Sequence, residues 1–200
     1  MDSTPSSLSS FSDTRLARLC DFLFEAGMLR KTPRSGYQFL GTGRENVAEH
    51  SYRTCMVGII LSEMAGMDDL SQNRVLRICL FHDFHEARTG DLNYVNKRYA
   101  SLDEQGALTD ALKDTGMNSL FMPLWEEFEL QKTPEARIAR DADQIDLMLN
   151  LREEEERGNP EASRWLDAAM ARLVTTEGKI LASAIRAHNH TNWWQAAQSR

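Results

Sequence analysis

The chain is short of cysteine, histidine and positive charge, and each shortage narrows its chemistry. Its three cysteines, Cys20, Cys55 and Cys79, are odd in number and far apart, which excludes a disulfide framework. They read as reduced, buried thiols of a cytosolic protein. A net charge of −7 argues against a nucleic-acid partner gripped through its phosphate backbone, since such surfaces are basic. A small anionic substrate in a locally positive pocket stays compatible with it. No stretch approaches the roughly 20 apolar residues that cross a bilayer. The opening "MDSTPSSLSSFSD" lacks the basic start and apolar core of a secretory signal. Residues 1–12 read as a flexible tail before one domain at 13–200, with no repeat or linker. Runs of period two and Asn-Gly hairpin signals are also missing, which points to an all-α fold. With 200 residues, 42 % of them apolar, the chain can bury a sizeable core.

What is present is helical periodicity. A first helix starts at Ser12 or Asp13, either of which can cap it, and runs to about Met28. A structured loop, "RKTPRSGYQFLGTGRE", follows. A second helix spans about Glu45 to Ala65, with Val47, His50, Thr54, Val57, Leu61 and Met64 on one stripe. A third spans about Ser71 to Thr89 and aligns Val75, Cys79, His82 and Glu86, with Gly90 placed as its C-cap glycine. A weaker helical stretch lies within about Leu92 to Asp114. The helix in "MNSLFMPLWEEFELQ" holds Pro123, which belongs near a start or at a kink. The next begins with Thr133 as N-cap and Pro134 at the first position, and Gly158 closes it. Its middle is apolar on nearly all sides, as in a central helix. A last helix covers about Thr176 to His188, and Trp193 and Trp194 pack the C-terminus back or join a dimer interface.

Polar residues on these apolar faces carry the chemistry. They are His50, then His82, Asp83 and Glu86, and then one aspartate of "RDADQID". His82 and Glu86 are i,i+4 neighbours, and Asp83 and Glu86 are i,i+3 neighbours. Buried charges without partners are costly, so a cation is expected among them. Imidazoles and carboxylates from facing helices suit a divalent transition metal better than calcium or magnesium. The plainer readings are a hydrogen-bonded core histidine at His50 and an aspartate neutralised by Arg140. Asp141 and Asp143 lie about 200° apart on a helix with apolar residues on every side, so periodicity does not choose between them.

In "LRKTPRSGYQFLG", "ENVAEHSYR", "FHDFHEARTGD", "ARDADQIDLML" and "TTEGKILASAI" the sequence resembles the HD-domain phosphohydrolases over about residues 15 to 195. Within them it resembles the 5'-deoxynucleotidase group, in its HD domain-containing 2 branch. The resemblance implies an HD-domain helical bundle with a buried metal site. It implies one divalent ion (Mn, Co, Fe, Ni or Zn) on His50, His82, Asp83 and Asp143. It also implies two essential acids, Glu86 and Asp91, one acting on water and the other on the leaving oxygen. The implied reaction takes deoxynucleoside 5'-monophosphates to nucleoside and phosphate, in a homodimer. Arg34, Lys97 and Arg44 are the candidate phosphate cations. No histidine stands between residues 86 and 187, which favours one metal over two; His85 faces away from the metal or lines the rim. "HNH" at 188–190 lacks the spacing of a nuclease motif. Tyr37 stands where relatives often carry Trp, and "LNYVNK" where the bacterial branch is proline-rich. The competing readings are hydrolysis of another phosphate, such as a dNTP or cyclic nucleotide, and a metal-stabilised binding module without turnover.

Overall fold

The computed structural model describes residues 12–198. The proposed tail lies outside them apart from Ser12. The fold is all-α: no strand occurs among the described residues, and Pro33 and Asn46 form one isolated antiparallel bridge. Helix α1 (Asp13–Ala26) is capped by the Ser12 side chain and runs into a 3-10 turn, Gly27–Lys31. After the short α2 (Tyr37–Leu40) come α3 (Val47–Met64) and α4 (Asp69–Phe81). Then follow α5 (Glu86–Thr89), α6 (Glu104–Leu112) and α7 (Asn118–Leu130). The described residues end with α8 (Pro134–Glu156), α9 (Pro160–Met170), α10 (Thr176–Ala187) and α11 (Asn192–Gln198).

The two helices that bring His50 and Asp143 to the candidate site have strong local start signals. Asn46 and Glu49 make a capping box at α3, satisfying two otherwise orphaned N–H groups. Thr133 caps α8 ahead of Pro134. Helix α8 packs against α3, α4, α7, α9 and α10, so it is central as its composition requires. Ile138, Ala142, Ile145, Met148 and Leu151 on α8 meet Leu61 of α3, Ile78 of α4 and Leu166 of α9 in the main core. Close approach of α4 to α3 depends on Gly58: a Cβ there would sit 2.8 Å from Cys79 Sγ.

Several elements depart from sequence expectation. The third helix is not continuous to Thr89. It stops at Phe81, and residues 82–85 turn through i→i+3 bonds such as Phe84 N–H to Phe81 O (3.0 Å) and Glu86 N–H to Asp83 O (3.0 Å). His82 Nδ1 engages the Cys79 carbonyl at 2.9 Å, the acceptor that a continuing α-helix would offer to the Asp83 N–H. The tighter turn eclipses residues three apart, so Asp83 and Glu86 point to the same side. Gly90 then ends α5 with φ +72°. Of the two placements open to Pro123, the structure takes the one inside the helix, within α7. Helix α9 went unread, although Asn159 caps it and Pro160 opens it. Cys20 is exposed, unlike buried Cys55 and Cys79, because the outer face of α1 has no neighbour over it among the described residues. Trp193 is 80 % exposed and does not pack the C-terminus down.

Candidate active site

His50, His82, Asp83 and Asp143 come from α3, the turn after α4, and α8, and they meet at one buried point. His50 Nε2 lies 3.3 Å from His82 Nε2, 3.4 Å from Asp143 Oδ1 and 3.5 Å from Asp83 Oδ2. His82 Nε2 is 3.2 Å from Asp83 Oδ2. Each imidazole is held by its far nitrogen. His82 Nδ1 faces the Cys79 carbonyl, and His50 Nδ1 lies 2.6 Å from Asp146 Oδ2. His50 Nε2 is thereby aimed at both carboxylates and His82 Nε2 at Asp83. His50, His82 and Asp83 each bring a donor atom within 4.8 Å of the others, close enough to share an ion.

The electrostatics show how strongly this cluster asks for positive charge. Burial and Arg34 oppose a proton on His50, yet Asp143 and Asp146 outweigh them and push its pKa up to about 10. Burial works against the charge of Asp83, but His82, Arg34 and His50 hold that carboxyl well below the usual range. Asp143 is depressed in the same way against burial, by His50, His82 and Arg34. A divalent ion does the work of these protons without titrating. Two imidazole nitrogens and two carboxylates therefore fit a transition metal both in donor type and in charge.

Asp141, the alternative to Asp143, is occupied elsewhere. It accepts from Val174 N–H (3.0 Å), Thr175 N–H (2.8 Å) and the Thr175 hydroxyl (2.5 Å), fixing the start of α10.

A cavity of about 650 Å³ opens over the cluster. Glu86 lines it, and Glu86 Oε2 is buried with no hydrogen-bond partner. Burial, then Asp83 and Asp91, push its pKa up to about 9. Asp91 lines the same cavity, but its Oδ2 accepts from the Ser35 N–H (2.5 Å) and hydroxyl (3.1 Å) and so anchors the loop that carries Arg34. Arg34 NH1 donates to Asp83 Oδ2 at 3.1 Å. Lys97 is also on the wall, whereas Arg44 is exposed and outside the lining. His85 is buried away from the cavity, with Nδ1 3.2 Å from Thr89 Oγ1.

Three cations of the lining, Arg140, Arg164 and Arg172, are not among the phosphate contacts expected from sequence. Arg140 NH1 lies 3.7 Å from Asp143 Oδ2, where it had been read only as a neutraliser. Arg172, just beyond the unread α9, donates to Gln144 Oε1 (2.5 Å), and Gln144 Nε2 donates to Asp143 Oδ2 (2.8 Å). The lining also includes the aromatic and aliphatic side chains of Tyr37, Leu147, Leu151 and Trp165.

A family model described as HD domain matches residues 26–185. The chain is 28 % identical over 200 residues to 5'-deoxynucleotidase HDDC2 of Homo sapiens, covering 96 % of each. A conserved hypothetical protein from Pyrococcus furiosus superposes with a TM-score of 0.67 at 26 % identity, over 84 % of this chain and 99 % of that one. The cyanophage S-2L HD phosphohydrolase, solved bound to dA and one catalytic Zn²⁺ ion, shares the fold at a TM-score of 0.53 and 18 % identity, over 82 % of this chain and 96 % of that one. A histidine from one helix, a His-Asp pair from the turn after the next and an aspartate from the central helix thus stand in a chain that belongs to the HD-domain family, in its 5'-deoxynucleotidase group.

Proposed function

We propose that the protein is a metal-dependent phosphomonoesterase that hydrolyses deoxynucleoside 5'-monophosphates to nucleoside and phosphate. One observation carries the reading: an unpartnered, buried Glu86 Oε2 shares a cavity with His82, Asp83 and Asp143 of the donor set and with several cations. His50, His82, Asp83 and Asp143 would hold one divalent transition metal. When bound, such an ion supplies the charge that polarises a phosphoryl oxygen and makes water acidic enough to attack near neutral pH. Arg34, Arg140 and Lys97 hold the phosphate oxygens, with Arg172 behind them, each charge-assisted contact being stronger than a neutral hydrogen bond. Glu86 moves the proton: it takes one from the attacking water, and in its neutral form it can return one to the leaving nucleoside oxygen. Asp91 keeps the Arg34 loop at the cavity rim through Ser35, and as a second acid of the lining it would share the proton traffic. The Tyr37, Leu147 and Trp165 wall takes the sugar and base. The relatives named 5'-deoxynucleotidase and the dA-bound fold relative support this choice of substrate.

We further propose one domain over residues 13–200 that pairs with a second copy of itself. The outer face of α3 carries Tyr52, Met56, Ile60 and Met64, all exposed, at helical spacing. The three free thiols suit the reducing cytoplasm. Light scattering should return twice the monomer mass, and a monomer mass would remove the pairing.

The test of activity is phosphate release from a panel of ribo- and deoxynucleoside 5'-monophosphates. Chelated protein is reloaded separately with Mn²⁺, Co²⁺, Zn²⁺ and Mg²⁺. Metal-dependent release that favours deoxynucleotides is expected. No release with any ion, from protein shown to bind it, would overturn the proposal.

A further inference from the structure

Asp143 and Asp146 stand one turn apart on α8, and they close on His50 from its two ends. Asp143 Oδ1 faces Nε2 at 3.4 Å and Asp146 Oδ2 faces Nδ1 at 2.6 Å. Asp146 is completely buried, and nothing about the proposed hydrolysis places it near a phosphate. Its other oxygen accepts from Arg53 Nε at 2.5 Å, and its backbone carbonyl accepts from Arg53 NH2 at 3.2 Å. The same guanidinium reaches Glu45 Oε1 at 3.3 Å, and Asn150 Nδ2 donates to that oxygen at 2.8 Å. Glu45, His50 and Asp146 do bring donor atoms within 4.8 Å of one another, which is metal-like spacing. Arg53 already supplies the positive charge there, so this is not a second ion site.

We infer that Asp146 is a positioning residue for the metal centre: it accepts the Nδ1–H of His50, fixes that tautomer, and so presents the Nε2 lone pair to the ion. Arg53 in turn holds Asp146 in one rotamer through its Nε and NH2 contacts, with Glu45 and Asn150 fixing Arg53. A ring nitrogen made basic and aimed by a carboxylate on its far side is a better ligand, and loss of such a partner costs typically about 10–100-fold in metal affinity. The inference rests on the metal site proposed above but not on the identity of the substrate.

The test is Mn²⁺ affinity, measured by competition with a chromogenic chelator, for Asp146→Asn, Asp146→Glu, Arg53→Gln and Asp141→Asn. Asp141→Asn is the control, because Asp141 is equally buried and serves only the start of α10. The expected order is a loss of about 10–100-fold for Asp146→Asn, partial recovery in Asp146→Glu, a smaller loss for Arg53→Gln, and no change in the control. Nitrogen-15 spectra of the histidine rings in Zn²⁺-loaded protein should show His50 protonated on Nδ1, with that signature weakened in Asp146→Asn. An Asp146→Asn affinity within twofold of the parent would overturn the inference. So would an equal loss in Asp141→Asn, which would make the effect one of general destabilisation. Should Asp146→Asn fail to fold, Arg53→Gln decides alone: unchanged affinity and an unchanged His50 signature reject the role. Metal affinity is read without substrate, so failure of the nucleotidase reading would appear only in phosphate release.

Discussion

Stripping divalent ions with a chelator should leave a protein that loses stability as the pH rises, and Glu86 sets the slope. In the fold its pKa is pushed from an ordinary 4.5 up to about 9, by burial first and then by Asp83 and Asp91. Between these values the folded chain holds a proton that the unfolded chain has released, so stability falls with every unit of pH. One unit is worth about 1.4 kcal/mol, so the interval from pH 5 to pH 8 removes about 4 kcal/mol through Glu86 alone. His50 acts in the same direction. With its folded pKa at about 10, its contribution is complete below an unfolded value near 6.5 and is lost as pH climbs towards 10. For a chain of this length about 4 kcal/mol corresponds to a fall in Tm of ~8–16 °C. Thermal melts in chelator at pH 5, 6, 7 and 8 measure it. Glu86→Gln, which is neutral at every pH, should flatten most of the slope. Saturating divalent ion should flatten it too, because a cation beside the cluster favours the ionised carboxylate. Ion-free stability that stays level or climbs from pH 5 to pH 8 would refute the reasoning.

Other perturbations separate catalysis from structure. Glu86→Gln should retain bound metal while phosphate release drops by about 10²–10⁴-fold, read by metal analysis beside a phosphate assay. Arg140→Ala removes one charged contact to the phosphate and should lower kcat/KM by ~10–150-fold at unchanged Tm, the kinetic equivalent of about 1.5–3 kcal/mol. Gly58→Ala forces a Cβ to 2.8 Å from Cys79 Sγ and 3.1 Å from Val75 Cγ1. Overpacking of this kind costs about 1–3 kcal/mol and should lower Tm without changing metal affinity. Asp141→Ala leaves the Val174 and Thr175 N–H groups without their acceptor, at about 1–3 kcal/mol, and should loosen α10 in hydrogen exchange.

Helical class and most helix starts were legible because they are written locally. Ser12, Asn46 and Thr133 each occupy an N-cap with the side chain bonded into the first turn, and Gly90 and Gly158 take positive φ at helix ends. What was not legible depends on contacts across the chain or on rival local signals. The break after Phe81 arises because a side chain, His82, competes for a main-chain carbonyl, and residues on both sides of it read as helix. Helix α9 was passed over at Asn159-Pro160, a pair that reads as a turn until its apolar face is seen on α8. Cys20 and Trp193 were placed by their chemistry, while their exposure is decided by which elements happen to cover them.

The site divides in the same way. His50 and His82 stood out because imidazoles on apolar stripes need partners, and that need is visible in one dimension. The aspartates of "RDADQID" did not separate, because all three are buried and a helical period describes only their own helix. Their roles are set by what lies across from each. Asp141 meets the bare N–H groups ahead of α10, Asp143 meets an Nε2 atom in a cluster rich in carboxylate, and Asp146 meets an Nδ1–H and a guanidinium. The same carboxylate is thus a helix anchor, a candidate metal ligand and a brace for a ligand within six residues of chain. A buried carboxylate is stabilised by whichever positive or donor group faces it, and the groups that tell these three apart come from α3 and from the residues just ahead of α10. Exchanging the partners, by Thr175→Val at one end or Arg53→Gln at the other, should therefore disturb Asp141 and Asp146 separately. Thr175→Val should lower Tm with metal affinity intact, and Arg53→Gln should weaken metal binding.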